Sequence, residues 1–496
     1  GGSVAGYKVF RDGGTTEIAT VTGSSYIDTG LSINTAYVYT VSAFDNAFPA
    51  NESEVSLSDS ATTLPTALSA EIFISSSSGA DSNSGLTPSS PWKTINKVNS
   101  SVSTQGTDVY LRCGDIWENR QLTVDWGGTA SDRVNIGSYY MENGTLVLNN
   151  CPTNSRPHIK GSYIAPDYFC GIGAKTTAVS SSATPGKFLR GLVDIDKSHY
   201  VTVQDLYVSH SAGRGFNAAN SNFVEFKNNE AYFTCAGAIK LHHSASGTIY
   251  RNVFHGNALF PSLTGRISGG GRPACIEIIG SPNAVVESNT SYDCYMENIG
   301  IYDRNSTNAL IRDNLLYGIL RIGIYFSEGR DGVAENNVIV GQVGGIAEAG
   351  FYDETDAQSG AAFVVVTEDE GSNIDTSGNI IRNNLIANTG ICIRTSVMFE
   401  FGVPVAKVDN EFYGNTCIGA TKVAVAESAS VSILTVKNNI FIDYANDCRL
   451  SGNDVSDANY WSKGMPSDSD CVGANDVYAG ASVAKTSGWD SVGLGN

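Results

Sequence analysis

The sequence predicts an all-β chain that consists mainly of a solenoid of stacked β-coils. An asparagine returns at gaps of 23, 37, 25, 23, 47, 31 and 24 residues, each time between short runs of Ile, Val, Phe and Tyr. Self-similarity at this interval indicates a repeat architecture, and apolar runs broken by Gly, Asn, Asp and Ser indicate strands and turns. The repeat asparagines are Asn229, Asn252, Asn289, Asn314, Asn337, Asn384, Asn415 and Asn439.

The composition fits a long, turn-rich solenoid. The chain has 496 residues, with 53 glycines, 41% hydrophobic residues and 16% charged residues. This length exceeds one ordinary core, whereas each repeat of a solenoid buries its apolar face only against its neighbours. Asparagines stacked at one turn can hydrogen-bond along the solenoid, so we assign the repeat asparagines a structural role and no catalytic one.

The charge balance limits the partners that the chain can have. The formal net charge is −19. Nucleic acids and anionic membranes need a basic surface, so neither is expected as a partner. No apolar run approaches the ~18–20 residues of a membrane span. We expect a monomer, and because the chain begins abruptly at Gly1-Gly2, a leader peptide could have been removed.

The ten cysteines do not form a metal-binding pattern, because no CxxC or Cys/His spacing is present. Cys448 and Cys471 flank a polar loop and could form a disulfide, as could Cys151 and Cys170. The cysteines inside apolar strand patterns are expected to pack as small hydrophobic side chains. They are Cys235, Cys275, Cys294, Cys392 and Cys417.

Residues 1–64 differ from the rest of the chain. The stretches AGYKVFRDGG and TGLSINTAYVYTVSA alternate polar and apolar residues between short turns. They resemble the later strands of a fibronectin type III domain, which is a β-sandwich. The resemblance implies an incomplete domain of this type at residues 1–64, a small N-terminal β-sandwich fragment, followed by a linker at residues 65–70.

Residues 71–496 open with EIFISSSSGADSNSGLTPSSPWKTINKVNSS and then TDVYLRCGDIWENRQLTV. These stretches resemble the opening of secreted, pectate-lyase-like enzymes that act on polysaccharides. The resemblance implies a right-handed parallel β-helix over residues 71–496, a short helix that covers its open end, and a secreted, bacterial-type enzyme. Hydrolases and lyases share this opening. The matching residues are Gly79, Asp81, Asn83, Gly85, Pro91, Trp92, Thr94, Ile95, Arg112, Gly114, Asp115 and Trp117.

The asparagine period also predicts which side chains share one face of the solenoid. Twelve residues before four successive repeat asparagines stand Lys240, Glu277, Tyr302 and Tyr325, each directly after an isoleucine. Because side chains alternate along a strand, the isoleucines are expected in the core and the other four in an outward column. The next outward column and the strand ends beyond it would contain His242, Ile279, Arg304, Ser327, His243, Asp303 and Glu328.

Two insertions interrupt the period beside these coils. The loop ALFPSLTGRISGGGRP carries Arg266 and Arg272, and the longer gap carries FYDETDAQSG and TEDEGSNID. Long loops on one side of a rigid scaffold usually wall a functional cleft. Glu368, Asp369, Glu370 and Asp375 could bind calcium, but we expect a solvated acidic loop there and predict no metal or cofactor.

Paired carboxylates on these coils favour glycoside hydrolysis. Glu277 and Asp303 would lie on adjacent coils ~4.8 Å apart, close to the ~5–5.5 Å of a retaining pair. Glu277 and Glu328 would lie two coils apart, closer to the ~6.5–9.5 Å of an inverting pair. Lys240 would keep Glu277 ionised, so Glu277 is the expected nucleophile or base and Asp303 or Glu328 the expected acid.

The same column leaves two other functions open. A polysaccharide lyase would use Lys240, His242 or His243 as the base and Arg304 or Arg272 to stabilise the enolate. A non-catalytic carbohydrate-binding β-helix would use the column only for contact. In each case the substrate is expected to be an anionic, uronate-containing or sulfated glycan. The predicted substrate-binding residues are His242, His243, Arg266, Arg272, Tyr302, Arg304 and Tyr325.

Overall fold

The chain divides after Ala70 into the units Gly1–Ala70 and Glu71–Asn496. The computed structural model describes residues 4–12, 16–23, 25–28, 31–32, 35–47, 49–62, 71–161, 190–211, 213–257, 274–294, 296–319, 321–341, 360–368, 376–398, 408–427, 432–450, 455–463, 466, 471–473 and 475–478.

The first unit contains an antiparallel sheet. Its strands are β1 (Val4–Arg11), β2 (Thr16–Val21), β3 (Ala36–Asp45) and β4 (Asp59–Thr62), and their order in the sheet is β2-β1-β3-β4. The alternating strands predicted from the sequence are therefore present. The fibronectin type III resemblance itself stays a prediction.

The second unit is built of short strands with one helix, α1 (Ile95–Ser101), among its described residues. In chain order the strands are β5 (Glu71–Ile74), β6 (Asp108–Arg112), β7 (Ile116–Glu118), β8 (Leu122–Val124), β9 (Val134–Glu142), β10 (Thr145–Leu148), β11 (His158–Lys160), β12 (Gly191–Asp196), β13 (Val201–Gln204), β14 (Tyr207–Ser211), β15 (Arg214–Ala219), β16 (Glu225–Lys227), β17 (Glu230–Thr234), β18 (Ile239–His242), β19 (Thr248–Tyr250), β20 (Val253–His255), β21 (Ile276–Ile279), β22 (Val285–Glu287), β23 (Thr290–Tyr292), β24 (Glu297–Tyr302), β25 (Leu310–Arg312), β26 (Leu315–Ile319), β27 (Ile322–Ser327), β28 (Val333–Glu335), β29 (Val338–Gly341), β30 (Ala361–Glu368), β31 (Ile380–Arg382), β32 (Leu385–Ala387), β33 (Ile391–Met398), β34 (Val408–Tyr413), β35 (Thr416–Ile418), β36 (Val423–Glu427), β37 (Ser432–Lys437), β38 (Ile440–Ile442), β39 (Asn446–Arg449), β40 (Val455–Asp457), β41 (Tyr460–Trp461) and β42 (Val477–Tyr478).

These strands form three long parallel sheets, because each coil contributes one strand to each sheet. Sheet 1 contains β5, β6, β9 and every third strand from β13 to β40, with β10 paired antiparallel to β9. Sheet 2 contains β7, β11, every third strand from β14 to β41, and β42. Sheet 3 contains β8, β12 and every third strand from β15 to β39. The second unit is therefore the predicted right-handed parallel β-helix.

The core lies inside the coils, where the inward side chains of all three sheets meet. In sheet 3 the inward row aligns Ile239, Ile276, Ile299 and Ile324, and each of these side chains is fully buried. Ile301, which the sequence placed in this row, is also fully buried and lies one inward position further along β24. Burial of one such side chain contributes about 1.5–3 kcal/mol, so the repeated isoleucines hold neighbouring coils together.

The repeat asparagines form a continuous hydrogen-bonded ladder at the turn from sheet 1 to sheet 2, as predicted. Asn314 Oδ1 accepts from Asn289 Nδ2 at 3.0 Å, and Asn314 Nδ2 donates to Asn337 Oδ1 at 2.9 Å. The ladder runs from Asn229 to Asn459, which extends it by one coil beyond the sequence prediction. These side chains are buried, so the ladder is a structural feature of the turn.

A second ladder, made of serines, lies at the turn from sheet 3 to sheet 1. The backbone N–H of Ser244 donates to Ser281 Oγ at 2.9 Å, and that of Ser281 donates to Ser306 Oγ at 3.2 Å. Ser198 and Ser221 continue the ladder toward the first coils. This ladder follows the ends of β12, β15, β18, β21 and β24 in sheet 3.

The helix predicted after Pro91-Trp92 is present. Thr94 caps its first turn, because Thr94 Oγ1 accepts from Lys97 N at 3.1 Å. Ile95 and Val98 are fully buried in the main core. Across the described segments, no helix is both long enough and apolar enough to cross a membrane.

Disulfide bonds replace most of the free thiols that the sequence predicted. The bond between Cys448 and Cys471 is confirmed. The packing role predicted for the other strand cysteines is wrong, because Cys235 is disulfide-bonded and further bonds join Cys275 to Cys294 and Cys392 to Cys417. Cys151 bonds Cys113 instead of Cys170, which lies outside the described residues. Cysteines that face each other across two coils are far apart in the sequence. Disulfide pairing therefore follows from the register of the coils and not from the sequence spacing of the cysteines.

Candidate active site

The outer face of sheet 3 carries a row of polar and aromatic positions. Strands β15, β18, β21, β24 and β27 align Asn217, Lys240, Glu277, Gly300 and Tyr325 in one register. The predicted outward column is therefore correct for Lys240, Glu277 and Tyr325. We call these five positions the central row.

The predicted backbone position of Tyr302 in this row is wrong. Tyr302 aligns with Ile279 and His242, one outward position further along the strands. The turn after β24 contains seven residues where the turns after β18, β21 and β27 contain five, so counting back twelve residues from Asn314 stops two residues short of the central row. The two extra residues are Arg304 and Asn305, which are exposed in the turn. Arg304 is thus also outside the column predicted for it.

The ring of Tyr302 nevertheless occupies the central row. It folds back over Gly300: a Cβ added to Gly300 would lie 2.3 Å from Tyr302 Cε2 and 2.4 Å from its Oη. The Tyr302 ring packs edge-on against that of Tyr325, with centroids 5.7 Å apart. The tyrosine hydroxyl therefore fills the space that Gly300 leaves between Glu277 and Tyr325.

Glu277 is the centre of a buried charged cluster. Its Oε2 accepts from Arg214 Nε at 3.0 Å and Nη2 at 2.5 Å, and lies 3.7 Å from Lys240 Nζ. The side chains of Arg214, Lys240 and Glu277 are 5%, 16% and 7% exposed. No described residue donates a hydrogen bond to Glu277 Oε1. Glu277 Oε2 therefore faces two basic side chains.

Burial shifts the protonation of the basic side chains on this face. Burial lowers the pKa of Lys240 below its ordinary value, and the nearby Arg214 charge acts in the same direction while Glu277 opposes it. Burial also lowers the pKa of His242 to about 4, with help from Lys240 and His243. His242 is therefore neutral at neutral pH, and its ring contacts that of His243 with centroids 4.2 Å apart.

The Tyr302 hydroxyl is buried, and no described residue hydrogen-bonds to it. Burial raises the pKa of Tyr302 well above its ordinary value, and the charges of Glu297 and Glu277 act in the same direction. The phenol therefore stays protonated across the physiological range. A buried hydroxyl without a partner costs about 1–3 kcal/mol in lost hydration.

Two functional-site candidates, Arg214 and Glu297, were not predicted from the sequence. Arg214 lies at the start of β15, three residues before the central row, and reaches Glu277 from two coils away. Glu297, at the start of β24, is buried and forms an ion pair with Arg321. Counting twelve residues back from Asn229 gives Asn217, so the asparagine period could have identified this coil of the site. It could not have identified Arg214 or Glu297, because each lies three residues before the central row.

Asp194 continues the central row beyond Asn217 and was also missed. Its carboxylate accepts from Asn217 Nδ2 at 2.8 Å and Arg190 Nη1 at 2.9 Å. Burial raises the pKa of Asp194 in spite of these two donors. Asp194 is three strand spacings from Glu277, or about 14 Å, so the two carboxylates cannot act on one bond.

The structure does not bring Asp303 or Glu328 next to Glu277. Each lies three residues beyond the central row, about 10 Å along its strand. Asp303 Oδ1 accepts from the Asn305 N–H at 2.9 Å, which closes the turn. Both residues have a positive φ, 76° for Asp303 and 64° for Glu328, as expected at strand ends.

Several predicted positions cannot be placed. Arg266, Arg272, Asp369, Glu370 and Asp375 lie outside the described residues, as does the side chain of Glu368. Within the described segments, no three His, Cys, Asp or Glu side chains form a group that could hold a metal ion. The expectations about cofactors and calcium stay predictions.

Known structures with a similar fold differ in what they do. A lacto-N-biosidase from Eubacterium ramulus has a TM-score of 0.48 at 15% identity, covering 78% of this chain and 67% of its own. An alginate lyase from a Paenibacillus species has a TM-score of 0.43 at 14% identity, and the match covers 73% of this chain and 97% of that one. The surface adhesin PfbA of Streptococcus pneumoniae has a TM-score of 0.44 at 12% identity, and the match covers 72% of this chain and 88% of that one.

Curated relatives match over short segments. Exoglucanase B of Cellulomonas fimi is 38% identical over 132 residues, which are 26% of this chain and 12% of that protein. Exoglucanase A of the same organism is 57% identical over 47 residues, which are 10% of this chain and 5% of that protein. Residues 191–359 match the family described as a right handed beta helix region. This match spans the coils that carry Arg214, Lys240 and Glu277, so the candidate site lies on a right-handed parallel β-helix.

Proposed function

We propose that this chain is a secreted enzyme that cleaves a uronate-containing polysaccharide by β-elimination on the outer face of sheet 3. The observation that carries the proposal is the buried cluster of Arg214, Lys240 and Glu277 in the central row. It combines a candidate base, Lys240, with a permanently charged side chain, Arg214, and this reaction requires both a base and a cation.

Lys240 is the proposed base. β-Elimination begins when a base removes the proton from the carbon next to the uronate carboxylate. Only a neutral amine can accept that proton, and burial favours the neutral form of Lys240 because it lowers the pKa. His242, two residues further along β18, is neutral at neutral pH and would hydrogen-bond the sugar or share this role.

Arg214 and Lys240 favour an anionic substrate. Arg214 stays charged when Lys240 is neutral, so its guanidinium is the cation of the cluster that would attract the carboxylate of a uronate. An arginine fork matches the geometry of a carboxylate, and fixed positive charge stabilises the enolate that forms when the proton leaves. The predicted contributions of His243, Arg304, Arg266 and Arg272 would add to this attraction.

Hydrolysis is a second candidate, favoured by the state of Glu277. One oxygen is held by two cations and the other has no described partner, which is suitable for an ionised nucleophile or base. Glu297 supplies a second buried carboxylate on the next coil. Asp303 and Glu328 remain predicted acids, but their distance from the central row makes elimination the better-supported reaction.

A product assay distinguishes these functions. The chain would be incubated with alginate, pectin, glycosaminoglycans, carrageenan and fucan, and with neutral glucan and xylan as controls. Elimination predicts ultraviolet absorbance from a new C4–C5 double bond, with one new reducing end for each bond cleaved. New reducing ends without that absorbance would show hydrolysis instead. Cleavage of only the neutral glycans, or binding without cleavage, would refute the proposal.

The disulfide bonds support the proposed secretion. Four bonds join described cysteines, at Cys113–Cys151, Cys275–Cys294, Cys392–Cys417 and Cys448–Cys471. Such bonds persist in oxidising compartments and are rare in a reducing cytosol. A polymeric substrate outside the cell is consistent with this location. We keep a monomer as the expected state in solution.

A further inference from the structure

We infer that a groove on the outer face of sheet 1 binds a neutral glycan, separately from the central row on sheet 3. The groove has a volume of about 430 Å³, within the ~300–1,000 Å³ of small-molecule sites. Its floor lies on β9, β13 and β16, whereas the central row lies on strands of a different sheet. This binding site goes beyond the proposed β-elimination and does not depend on it.

One elongated turn forms a wall of the groove. Residues 125–133 connect β8 to β9, whereas residues 197–200 and 220–224 make the same connection in the next two coils. The exposed residues 130–132 of the longer turn line the groove. An extended loop beside a regular scaffold is a common wall of a binding site.

Hydrogen bonds hold this wall in place. The backbone N–H of Thr129 donates to the Asp132 carbonyl at 2.8 Å and closes the turn. Arg133 then reaches across two coils, because its Nε donates to Thr202 Oγ1 at 3.0 Å and its Nη2 to the Phe223 carbonyl at 2.7 Å. The groove is therefore formed before a ligand arrives, which reduces the entropy lost on binding.

Two outward rows of side chains form the floor. Asn135, Thr202 and Glu225 align in one row, and Gln204 and Lys227 align in the next. Except for the buried Thr202, these side chains are half-buried, so a ligand can reach them. The alternate residues of the same strands point into the core and are fully buried: Ile136, Val203 and Phe226.

The floor offers hydrogen-bonding groups that the protein uses only in part. Gln204 Nε2 donates to Asn135 Oδ1 and Thr202 Oγ1 donates to Glu225 Oε2, each at 3.3 Å. Lys227 Nζ forms no ion pair or hydrogen bond with another described residue. Each sugar hydroxyl both donates and accepts, so a glycan can pair with the amides, the ammonium and the carboxylate of this floor.

The charges of the groove favour a neutral ligand. Arg133 and Lys227 are positive and Asp132 and Glu225 are negative, so the lining has no formal net charge. An anion therefore gains no overall attraction here, in contrast to the surroundings of Arg214 on sheet 3. The polar lining also disfavours an apolar ligand. The ligand that fits these features is a neutral, hydroxyl-rich glycan.

Gln204→Ala combined with Lys227→Ala tests the groove, because it removes two outward side chains and leaves the core intact. We expect the wild-type protein to migrate more slowly in native gels that contain a soluble neutral β-glucan, xylan or mannan. The double variant should bind the retarding glycan at least ~10-fold more weakly, since each lost hydrogen bond weakens binding several-fold. Ser131→Trp should also weaken binding, because an indole on this exposed turn would fill the groove.

Lys437→Ala provides the comparison for a lost surface lysine. Lys437 is in the same outward row of sheet 1 as Lys227, but it lies seven coils further along and does not line the groove. Its substitution should leave the retardation by neutral glycans unchanged.

Three results would overturn the inference. Retardation of the wild-type protein by uronate-containing glycans alone, or by no glycan, would mean that the groove binds no neutral glycan. Unchanged binding by both groove variants would place the binding site elsewhere on the chain. An equal loss in Lys437→Ala would show a general effect of surface charge. The product assay tests β-elimination separately, so either proposal can fail while the other holds.

Discussion

Lys240 illustrates how one side chain acquires unusual chemistry from its position. It lies on an outer sheet face, where a lysine is normally solvated and charged, yet it is only 16% exposed. Burial removes water from the ammonium, and Arg214 adds a repulsive positive charge. These effects outweigh the attraction of Glu277 and favour the neutral amine. The proposed role of Lys240 as a base therefore depends on burial and on Arg214 and Glu277 as much as on its being a lysine.

Lys240→Arg tests whether Lys240 acts as a base or only as a cation. Arginine keeps the positive charge near Glu277, but it cannot lose its proton in a protein. We expect the rate of formation of the unsaturated product to fall at least ~100-fold. The thermal midpoint should change little, because the ion pair with Glu277 is retained.

The pH dependence provides the control for this variant. Because the pKa of Lys240 is lowered, wild-type kcat/KM should rise with pH and level off below the pH expected for a free lysine. His242→Gln should keep this rise if Lys240 is the base. Retention of most activity by Lys240→Arg would show that Lys240 contributes charge and that another group removes the proton.

At the residue scale, the sequence identified Lys240 and Glu277 because the turns after their strands have equal length. It misplaced Tyr302 because the turn after β24 is two residues longer. An insertion of two residues preserves the alternation of faces, so Tyr302 was correctly predicted to point outward. Arg214 could not be identified, since its contact with Glu277 spans two coils and leaves no local pattern.

Among the elements, the turn from sheet 1 to sheet 2 is the most regular. In a turn this short, the backbone N–H and C=O groups of successive coils cannot all pair with each other. Asn314 satisfies several of them, because its Oδ1 accepts from the Asn289 N–H and its Nδ2 donates to the Val286 carbonyl, each at 2.9 Å. Nδ2 also donates to Asn337 Oδ1 on the following coil, so the asparagine links three coils at one point.

Asn314→Ala should destabilise the β-helix. The substitution leaves the Asn289 N–H and the Val286 carbonyl buried without their partners, and each such loss costs about 1–3 kcal/mol. We expect the free energy of unfolding to fall by about 2–4 kcal/mol in a urea titration. Because Asn314 is remote from the central row along its coil, the residual folded protein should retain activity.

Asn305→Ala is the matched control for the ladder variant. Asn305 is exposed in the neighbouring turn of the same coil, and its backbone N–H is the group that bonds Asp303. Loss of its side chain should change the free energy of unfolding by less than ~0.5 kcal/mol. Equal effects of the two substitutions would mean that the asparagine ladder adds nothing to stability.

At the element scale, the sequence predicted the strands, the ladder and the capping helix because each depends on local chemistry. Isoleucine before an outward residue, asparagine in a tight turn and Thr94 before a helix all act within a few residues. Disulfide pairing was not predictable in the same way. Cys275 bonds Cys294 because two coils place them together, which depends on the length of every turn between them.

For the whole molecule, stability follows from contacts between neighbouring coils, because a solenoid has no contacts between distant repeats. The disulfide between Cys275 and Cys294 therefore acts locally. Cys275 directly precedes β21, which carries Glu277, and Cys294 lies three residues before Glu297. The bond holds together the two coils that carry the buried carboxylates.

Removal of this disulfide should affect stability and activity together. The bonded cysteines are 19 residues apart, and closing a loop of this size contributes about 3 kcal/mol. We expect Cys275→Ala with Cys294→Ala to lower the free energy of unfolding by about that amount and also to reduce kcat, because Glu277 loses its fixed position. Chemical denaturation and the product assay measure the two effects.

The bond between Cys448 and Cys471 offers a comparison of similar size, because these cysteines are 23 positions apart in the sequence. Alanine at both positions should cost similar stability. Activity should not change, since these coils are far along the solenoid from the central row. A loss of activity in both double variants would show that the effect is global and not confined to the coils of Glu277.

The serine ladder has a consequence for how this molecule tolerates change. Although Arg304 and Asn305 lengthen one turn, Ser306 still bonds to Ser281, and the next strand begins in the same place. The serine bond thus restores the register after this turn, so the two extra residues do not shift the strand that follows. New loops could therefore be grafted beside the central row one at a time, which makes this edge the natural place to alter which glycan is accepted.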